Sequence, residues 1–161
     1  QERLKQLLSY NPETGQFIRL TKSAIGVKIG DVAGTKRRHD CYIFISLDSK
    51  LYKAHRLAWL YVYGKWPDME LDHIDGNKKN NSILNLRDVD RKTNSTNERV
   101  ARKSNLSSGL LGVTWDKVNK KWVSQIMVNG KHKKIGRFAT KEQAHLAYLE
   151  EKRKLHIGCT I

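Results

Sequence analysis

The sequence predicts an α+β protein made of two small units, and three observations support that class. Short β-rich runs lie in pairs around turn signals, a pattern typical of antiparallel hairpins. Helical patterns are few and short, and one of them follows the last strands. Residues 100–109 are polar and lack any period, so we interpret them as a linker between units at 1–99 and 110–161.

The first unit should begin with a helix over residues 1–9, because Leu4, Leu7 and Leu8 recur at helical spacing. Glycines in the region that follows break any helix there and favour small antiparallel strands and turns. The predicted elements up to residue 63 are this helix, strands over 16–20, 42–47 and 51–54, and a second helix over 55–63.

The centre of the chain, residues 69–99, predicts a strand, a turn, a returning strand and a short helix. Asp90 can cap that helix through its side-chain oxygen. This order brings together polar side chains that are distant in sequence. The predicted elements are strands over 69–73 and 84–89, a turn over 75–81 and a helix over 91–99.

The second unit should be a three-stranded antiparallel sheet covered by one helix. Asn129-Gly130 is a strong two-residue hairpin signal between the last two strands. Thr140 and Gln143 form a capping box at the start of the final helix. The predicted strands cover 112–115, 121–128 and 133–138.

Charge is the strongest indication of a partner. The chain has 31 Lys and Arg against 16 Asp and Glu, a net charge of +15, which favours a polyanion and nucleic acid first. Residues 1–70 carry +5, residues 71–100 carry +1 and residues 101–161 carry +9. A nearly neutral centre between basic flanks suits a site that holds its own cation while its neighbours bind phosphates. The alternative is a surface charge that only serves solubility.

Other function classes find little support in the sequence. Cys41 and Cys159 are far apart and lack CxxC spacing, so they predict neither a zinc site nor a disulfide framework. No apolar run reaches the length of a transmembrane helix and no signal peptide is visible. These features predict a cytoplasmic protein. The chain opens at Gln1 without an initiator Met, so the sequence does not define the native N-terminus.

The segment around Asp72 and His73 carries the most chemistry. Asp72 is a hard oxygen ligand for a divalent cation, and His73 can accept a proton near neutral pH. Neighbouring side chains on a strand face opposite sides, so the two can serve different partners. Asn85 and Asn94 follow His73 by twelve and twenty-one residues. Taken alone, the segment is also ordinary turn chemistry.

Together these groups outline a phosphodiester hydrolase. Asp72 and Asn94 would hold one Mg²⁺ (or Mn²⁺) through oxygen atoms. His73 would deprotonate a water for attack on phosphorus. Asn85 would hold the His73 ring through a hydrogen bond.

Three other polar residues receive different interpretations. Asn97 is a second candidate for the metal position assigned to Asn94. Asp75 is interpreted as part of the turn and stays outside the catalytic set. His55, at the start of a predicted helix, is interpreted as a buried structural histidine, with a catalytic role as the alternative.

This combination resembles the HNH nucleases with a ββα-metal active site, and especially the phage and intron-encoded homing endonucleases. The motif is Leu-Asp-His-Ile-Asp-Gly-Asn at 71–77, followed by Asn-Leu-Arg at 85–87, with Ala-His-Arg-Leu-Ala-Trp at 54–59 as its lead-in. The resemblance covers residues 10–100 and implies a ββα-metal core at 69–99. It implies the general base at His73, metal ligands at Asp72 and Asn94, and the middle asparagine of the motif at Asn85.

Residues 110–158 resemble the AP2 domains, which lay a three-stranded sheet in the DNA major groove. The resemblance rests on Gly112-Val113, Lys121-Trp122, Gly136-Arg137-Phe138 and Ala147-Tyr148. It implies DNA contacts from basic and indole side chains, although Trp122 could equally lie in the sheet core. The implied contacts are Trp115, Lys117, Lys121, Trp122, Lys133 and Arg137.

The resulting hypothesis is a metal-dependent endonuclease acting on double-stranded DNA, phage-encoded or intron-encoded, that nicks or cuts a long, tolerant site in a bacterial host. The basic loop Lys36-Arg37-Arg38 would add phosphate contacts, or it is a solvated charge run. The alternatives are a DNA-binding protein that does not cut, and a restriction-type or RNA-directed HNH nuclease. The sequence leaves monomer and homodimer equally open and predicts no membrane partner.

Overall fold

The computed structural model describes residues 1–22, 26–37, 41–102, 104–156 and 158–160. Helices and antiparallel sheets are both present, which confirms the α+β class. The chain divides into two compact units, Gln1–Arg91 and Lys92–Ile161. Among the residues described, no helix has the length and apolar character needed to cross a lipid bilayer.

The first unit consists of small antiparallel sheets and two helices within its described residues. β1, β2 and β3 form one sheet, β4, β5 and β6 form a second, and β7 pairs with β8. The elements are α1 (Glu2–Leu7), β1 (Leu8–Tyr10), β2 (Phe17–Arg19), β3 (Val32–Ala33), β4 (Thr35–Lys36), β5 (Ile43–Leu47), β6 (Lys50–Lys53), α2 (Ala54–Tyr63), β7 (Glu70–His73), a 3₁₀ turn (Ile83–Asn85) and β8 (Leu86–Val89).

The hydrophobic core of the first unit joins the opening strands to the hairpin and to α2. Leu8, Phe17, Ile45 and Leu57, from four different elements, are almost fully buried in one cluster. Burying side chains of this size contributes about 1.5–3 kcal/mol each. Leu86 of β8 belongs to the same cluster, so the core anchors the strand that pairs with β7.

A turn after β1 supports the loop that precedes β8. The hydroxyl of Tyr10 donates to the backbone carbonyl of Asn81 at 2.7 Å, and the N–H of Ile83 donates to the carbonyl of Pro12 at 3.0 Å. Gly15 has a φ of 71°, and a Cβ at this position would overlap the Asn81 backbone. Glycine is therefore required by both the conformation and the close approach.

α2 follows β6 without an intervening loop and confirms the predicted helix. It ends at Gly64, which has a φ of 75° and whose N–H donates to the carbonyl of Leu60 at 3.0 Å. A glycine in the left-handed region is a common helix stop. The buried face of α2 includes His55, Leu57 and Ala58.

The second unit has one sheet, in which β10 lies between β9 and β11. Asn129 and Gly130 both adopt positive φ in the turn between β10 and β11, which confirms the predicted hairpin. Thr140 and Gln143 form the predicted capping box at the start of the last helix. The elements are α3 (Arg91–Thr96, in this unit from Lys92 onward), β9 (Val113–Asp116), β10 (Lys121–Val128), β11 (Lys131–Phe138) and α4 (Lys141–Leu155).

Two features differ from the sequence prediction. α1 ends at Leu7 instead of residue 9, because Leu8–Tyr10 pair with β2. The segment interpreted as a linker is tied to the sheet, since the hydroxyl of Ser108 is buried and donates to the carbonyl of Val113 at 2.7 Å. Side-chain hydrogen bonds of this kind leave no hydrophobic period in a sequence. The two compact units divide after Arg91, and the domain boundary at residue 99 stays a prediction from the sequence.

Candidate active site

Asp72 and His73 are the last two residues of β7, which pairs with β8. Asp72 lies opposite Arg87, and His73 lies opposite Leu86. Both side chains are buried, with 7% and 4% of their surface exposed. Because successive side chains alternate across a strand, the acid and the imidazole face opposite sides of the hairpin.

Arg87 holds the carboxylate of Asp72 from the neighbouring strand. Its Nε and Nη2 donate to Oδ2 of Asp72 at 2.9 and 2.7 Å. Directly opposed residues share a face of the sheet, which explains the contact. The arginine orients the acid and offsets part of the cost of burying its charge. Arg87 belongs to the sequence motif, but its contact with Asp72 could not be predicted because it depends on strand register.

The imidazole of His73 is held by Asn81. Its Nε2 lies 3.3 Å from Oδ1 of Asn81, and donation from Nε2 leaves Nδ1 as the basic nitrogen. Burial lowers the pKa of His73 and outweighs the opposing effects of Asn81, Asp75 and Asp72. The ring is therefore neutral at neutral pH, the state that a general base requires.

Asn85 organises the loop between β7 and β8. Its Nδ2 donates to Oδ1 of Asp75 and to the carbonyl of Asn80, both at 2.9 Å, and its Oδ1 accepts from the N–H of Asp75 at 3.0 Å. These bonds use both amide hydrogens and the carbonyl oxygen. The predicted hydrogen bond from Asn85 to the His73 ring is therefore wrong within the described part of the chain. Asn81 makes the contact with the ring instead.

Asp75 is the centre of the loop's hydrogen bonds, as its interpretation as a turn residue requires. Its Oδ1 accepts from the N–H of Asn77 at 2.7 Å, and its Oδ2 accepts from Nδ2 of Asn80 at 2.7 Å. Burial alone would raise the pKa of Asp75, but hydrogen bonds from Asn80, Asn77 and Asn85 lower it below its usual value. The ionised carboxylate therefore stabilises the loop.

Replacing Asn85 with alanine should lower the free energy of unfolding by about 2–3 kcal/mol, because three hydrogen bonds of about 1 kcal/mol each are lost. Urea unfolding followed by circular dichroism measures this change. Asn77→Ala is the matched control, since Asn77 is exposed and its side chain accepts only from the N–H of Lys79. Equal losses in the two variants would contradict the role assigned to Asn85.

His55 lies on α2 next to His73. It is only 5% exposed, and its ring meets the His73 ring edge-on, with 5.0 Å between centroids. Burial, with smaller contributions from His73, Lys53 and Arg56, lowers the pKa of His55 to about 3. A buried, neutral ring fits the structural role expected from the sequence.

The pH dependence of stability should reveal the neutral His55. Its pKa is about 3 in the folded protein against an ordinary 6.5, so between these values only the unfolded chain binds the proton. The stability of the wild-type protein should be fully present above about pH 6.5 and should decrease as the pH falls toward 3. We expect His55→Phe to flatten this decrease in urea unfolding measured across that range. An equally steep decrease would contradict the assignment.

Two asparagines on or after α3 are candidates for the second metal ligand. Asn94 lies within α3 and is half-buried, and its position relative to Asp72 stays a prediction from the sequence. Asn97 is 4% exposed, and its Oδ1 accepts from the hydroxyl of Thr160 at 2.7 Å. Thr160 therefore engages the oxygen that Asn97 would offer to a metal, and the assignment of the second ligand to Asn94 stays a prediction.

The chemistry of these donors fits a hard divalent cation. Asp72 provides a buried carboxylate, and Arg87 bonds to one of its oxygens. Mg²⁺ is commonly bound by only one or two carboxylates and keeps several waters. In the part of the chain that the structure describes, no three His, Cys, Asp or Glu side chains cluster as a metal-binding group. The pair of Asp72 and Asn94 stays a prediction from the sequence.

The basic loop of the first unit is partly described. Lys36 and Arg37 are exposed, and the guanidinium of Arg37 lies 5.1 Å from the centroid of the Phe44 ring. Arg38 lies outside the described residues. Phosphate contacts from this loop remain a prediction.

One face of the C-terminal sheet is covered by α4. Ile126, which is 2% exposed, pairs with Lys133, whose Nζ bonds to Glu151 of α4 at 2.9 Å. Trp122 shares this face because it is four residues from Ile126 on the same strand. Trp115 lies opposite Trp122, with 4.9 Å between ring centroids. Trp115, Trp122 and Lys133 are therefore on the helix side of the sheet, and DNA contacts from them stay a prediction from the sequence.

The other face of this sheet points away from α4. Lys121 and Gln125 lie on it, and Lys134 is opposite Gln125. Arg137 shares this face and bonds through Nε to Asp116 at 3.2 Å. Lys117 is exposed in the turn after β9. We call Lys121, Gln125, Lys134 and Arg137 the open face.

Gln125 and Lys134 are absent from the contacts predicted by sequence. A register shift after Ser124 leaves Ile135 as an extra residue in β11, and it changes which lysines face α4. The Asn129-Gly130 turn fixes the pairing at one end of the hairpin, but no local signal shows where the bulge lies. The two residues could therefore not be assigned to this face from spacing alone.

The segment that contains this strand, loop and strand matches a known family, and the chain belongs to the HNH endonuclease family. The family described as HNH endonuclease matches residues 52–96, which include α2, Asp72, His73 and Asn85. A relative is Protein 3.8 of Escherichia phage T7, which is 38% identical over 86 residues. The aligned region covers 51% of this chain and 69% of that protein. Comparison with solved structures finds no match.

Proposed function

We propose that the protein is a metal-dependent endonuclease that hydrolyses phosphodiester bonds in double-stranded DNA. The proposal is carried by one observation: a buried, neutral His73 stands next to the carboxylate of Asp72 inside the segment that matches the HNH endonucleases. Phosphodiester hydrolysis needs both a base for the attacking water and a group that stabilises charge on the phosphate. His73 would supply the base, and Asp72 would help to hold the cation that stabilises charge on the phosphate.

In this proposal His73 accepts the proton of the attacking water at Nδ1. Asn81 keeps the ring oriented through Nε2, and the loop that Asn85 and Asp75 hold together keeps Asn81 in place. A base held in position before the substrate arrives loses no free energy to reorganisation during the reaction. Asn85 is therefore a positioning residue that acts through the loop.

Asp72 and Asn94 would hold one divalent cation, Mg²⁺ or Mn²⁺. Such a cation, when bound, offsets the negative charge that develops on the phosphate and on the leaving oxygen. Arg87 would keep the Asp72 carboxylate in place through its two hydrogen bonds.

The second unit would bind DNA through the open face, in the manner of the AP2 domains that it resembles. Residues 101–161 carry a net charge of +9, and the open face contributes Lys121, Lys134 and Arg137. Lysines would meet phosphates, whereas Gln125 can form hydrogen bonds with base edges. Lys36 and Arg37 of the first unit would add phosphate contacts.

The biological setting in this proposal is a phage-encoded or intron-encoded homing endonuclease acting in the cytoplasm of a bacterial host. The similarity to a protein of Escherichia phage T7 supports a phage origin. A chain with one catalytic histidine would nick one strand as a monomer. A double-strand break would require two copies or two successive visits.

Incubation of the protein with supercoiled plasmid and Mg²⁺ or Mn²⁺ tests the proposal. We expect nicked or linear DNA in the presence of the metal and intact plasmid after chelation with EDTA. Gel shifts without cleavage under every metal tried would favour a DNA-binding protein that does not cut. Mapping the cut ends on a long DNA would then define the target and the number of strands cut.

A further inference from the structure

We propose that Lys53, Lys78 and Tyr42 form a binding site for a backbone phosphate of the DNA, beside His73. The proposal rests on the proposed function for the identity of the ligand as DNA. The preference for an anionic phosphate diester follows from the charges and distances of the first unit. None of these three residues belongs to the motif at 71–77 and 85–87.

The ring of Tyr42 brings two ammonium groups close to the proposed base. Nζ of Lys53 lies 4.1 Å from the ring centroid, and Nζ of Lys78 lies 4.9 Å from it. The same centroid is 6.0 Å from the centroid of the His73 ring. An aromatic ring attracts cations electrostatically, so Tyr42 holds two otherwise flexible side chains in place. Both charges are therefore presented next to the imidazole.

The acids that the structure describes form no salt bridge with either ammonium group. Within the described ranges, neither Lys53 nor Lys78 forms a salt bridge, whereas Lys65 pairs with Asp68 at 2.6 Å. Two like charges around one ring repel each other, and an anion between or beside them would remove that repulsion. An excess of positive charge at a defined point is complementary to a phosphate.

The electrostatic effect of both lysines extends to the neighbouring histidines. Burial is the main cause of the lowered pKa of His73, and Lys78 lowers it further. Burial likewise dominates at His55, where Lys53 adds to the decrease of the pKa. The positive charges are thus close to the histidine pair, and a phosphate bound to them would lie within reach of the proposed base.

The start of α2 adds a second reason to expect an anion here. Lys53 occupies the N-cap position, its own side chain makes no capping hydrogen bond, and the first turn contains no acidic residue. The free N–H groups and the helix dipole make a helix N-terminus positive, so a lysine at this position is electrostatically unfavourable. A bound phosphate would compensate the lysine and the helix end together.

The test measures DNA binding without cleavage, in a His73→Ala background, at a series of KCl concentrations. Lys53→Met and Lys78→Met each remove one charge from the proposed site. Lys50→Met is the matched control, because Lys50 is exposed on the same strand as Lys53 and three residues away, on the opposite face. Thermal unfolding of each variant confirms that the fold is retained.

We expect each of the two substitutions to make the slope of log K against log [KCl] shallower by about 0.9, the value for one lost phosphate contact. Lys50→Met should leave the slope unchanged. Tyr42→Phe should keep wild-type affinity because it keeps the ring, whereas Tyr42→Leu should weaken binding. A purely structural role would lower affinity without changing the slope.

Unchanged slopes in both Lys53→Met and Lys78→Met would overturn the phosphate site. Equal changes in the Lys50→Met control would also overturn it, since the effect would then reflect net charge alone. Shallower slopes for the two lysines, together with no cleavage by the wild-type protein under any metal, would support the phosphate site and refute the nuclease. Cleavage by the wild-type protein, together with unchanged slopes in both lysine variants, would support the nuclease and refute the phosphate site.

Discussion

The His73→Ala protein should bind duplex DNA as the wild-type protein does and cut it about 10²- to 10⁴-fold more slowly, the usual contribution of a general base. The substitution removes the group that takes the proton from water, while the contact between Asp72 and Arg87 is left intact. Binding should survive because the proposed DNA contacts lie on Lys53, Lys78 and the open face. Single-turnover cleavage and gel-shift titration measure the two quantities separately.

His145→Ala is the matched control for this experiment. His145 lies on α4, on the side of the sheet away from the open face, so its loss should leave the cleavage rate unchanged. Because His73 is buried, thermal unfolding of the variant must show a folded protein before the rate is interpreted. Cleavage by folded His73→Ala at a rate near that of the wild type would assign the base to another residue.

Neutralising the open face should have the second-largest effect. The double variant Lys121→Ala/Lys134→Ala should bind DNA on the order of 100-fold more weakly, if each charged contact contributes about 1.5 kcal/mol. The slope of log K against log [salt] should become shallower by about 0.9 for each charge removed. Arg137 is left in place because it is engaged with Asp116. Fluorescence anisotropy with a labelled duplex measures both quantities.

Lys133→Ala/Lys154→Ala provides a control with the same change in net charge. Both lysines pair with Glu151 of α4, so they lie on the helix side of the sheet. The adjacent residues Lys133 and Lys134 should therefore differ in their effect on DNA binding. Equal loss of affinity in the two double variants would show that the second unit does not bind DNA through the open face.

The position of the active-site hairpin could be predicted because its signals are local. A β-rich run that ends in Asp72-His73, followed by turn residues around Asp75, defines a strand and its loop from short-range preferences. The capping box at Thr140 and the Asn129-Gly130 turn are local in the same sense, and the structure contains both. The spacing of asparagines also indicated Asn85 as a candidate residue, although not the loop partners to which it bonds.

Contacts that depend on strand register could not be predicted. The pairing of Arg87 with Asp72 follows from which residues of β7 and β8 are opposite each other. Asn81, which bonds to His73, resembles the other asparagines of the loop in sequence, and only the folded loop distinguishes it. In the C-terminal sheet, the extra residue at Ile135 determines which of two adjacent lysines faces α4. A rule of simple alternation cannot locate such a bulge.

The turn at residues 11–15 restrains the motion of the loop between β7 and β8, which carries the candidate active site. Tyr10 bonds to Asn81, and the carbonyl of Pro12 accepts from Ile83, so the loop cannot leave its place without breaking contacts to the N-terminal strands. Segments linked in this way open together as one cooperative unit. The orientation of His73 is therefore as stable as the sheet beneath it. The conformational entropy lost in ordering the His73 side chain is offset when the chain folds, before DNA binds.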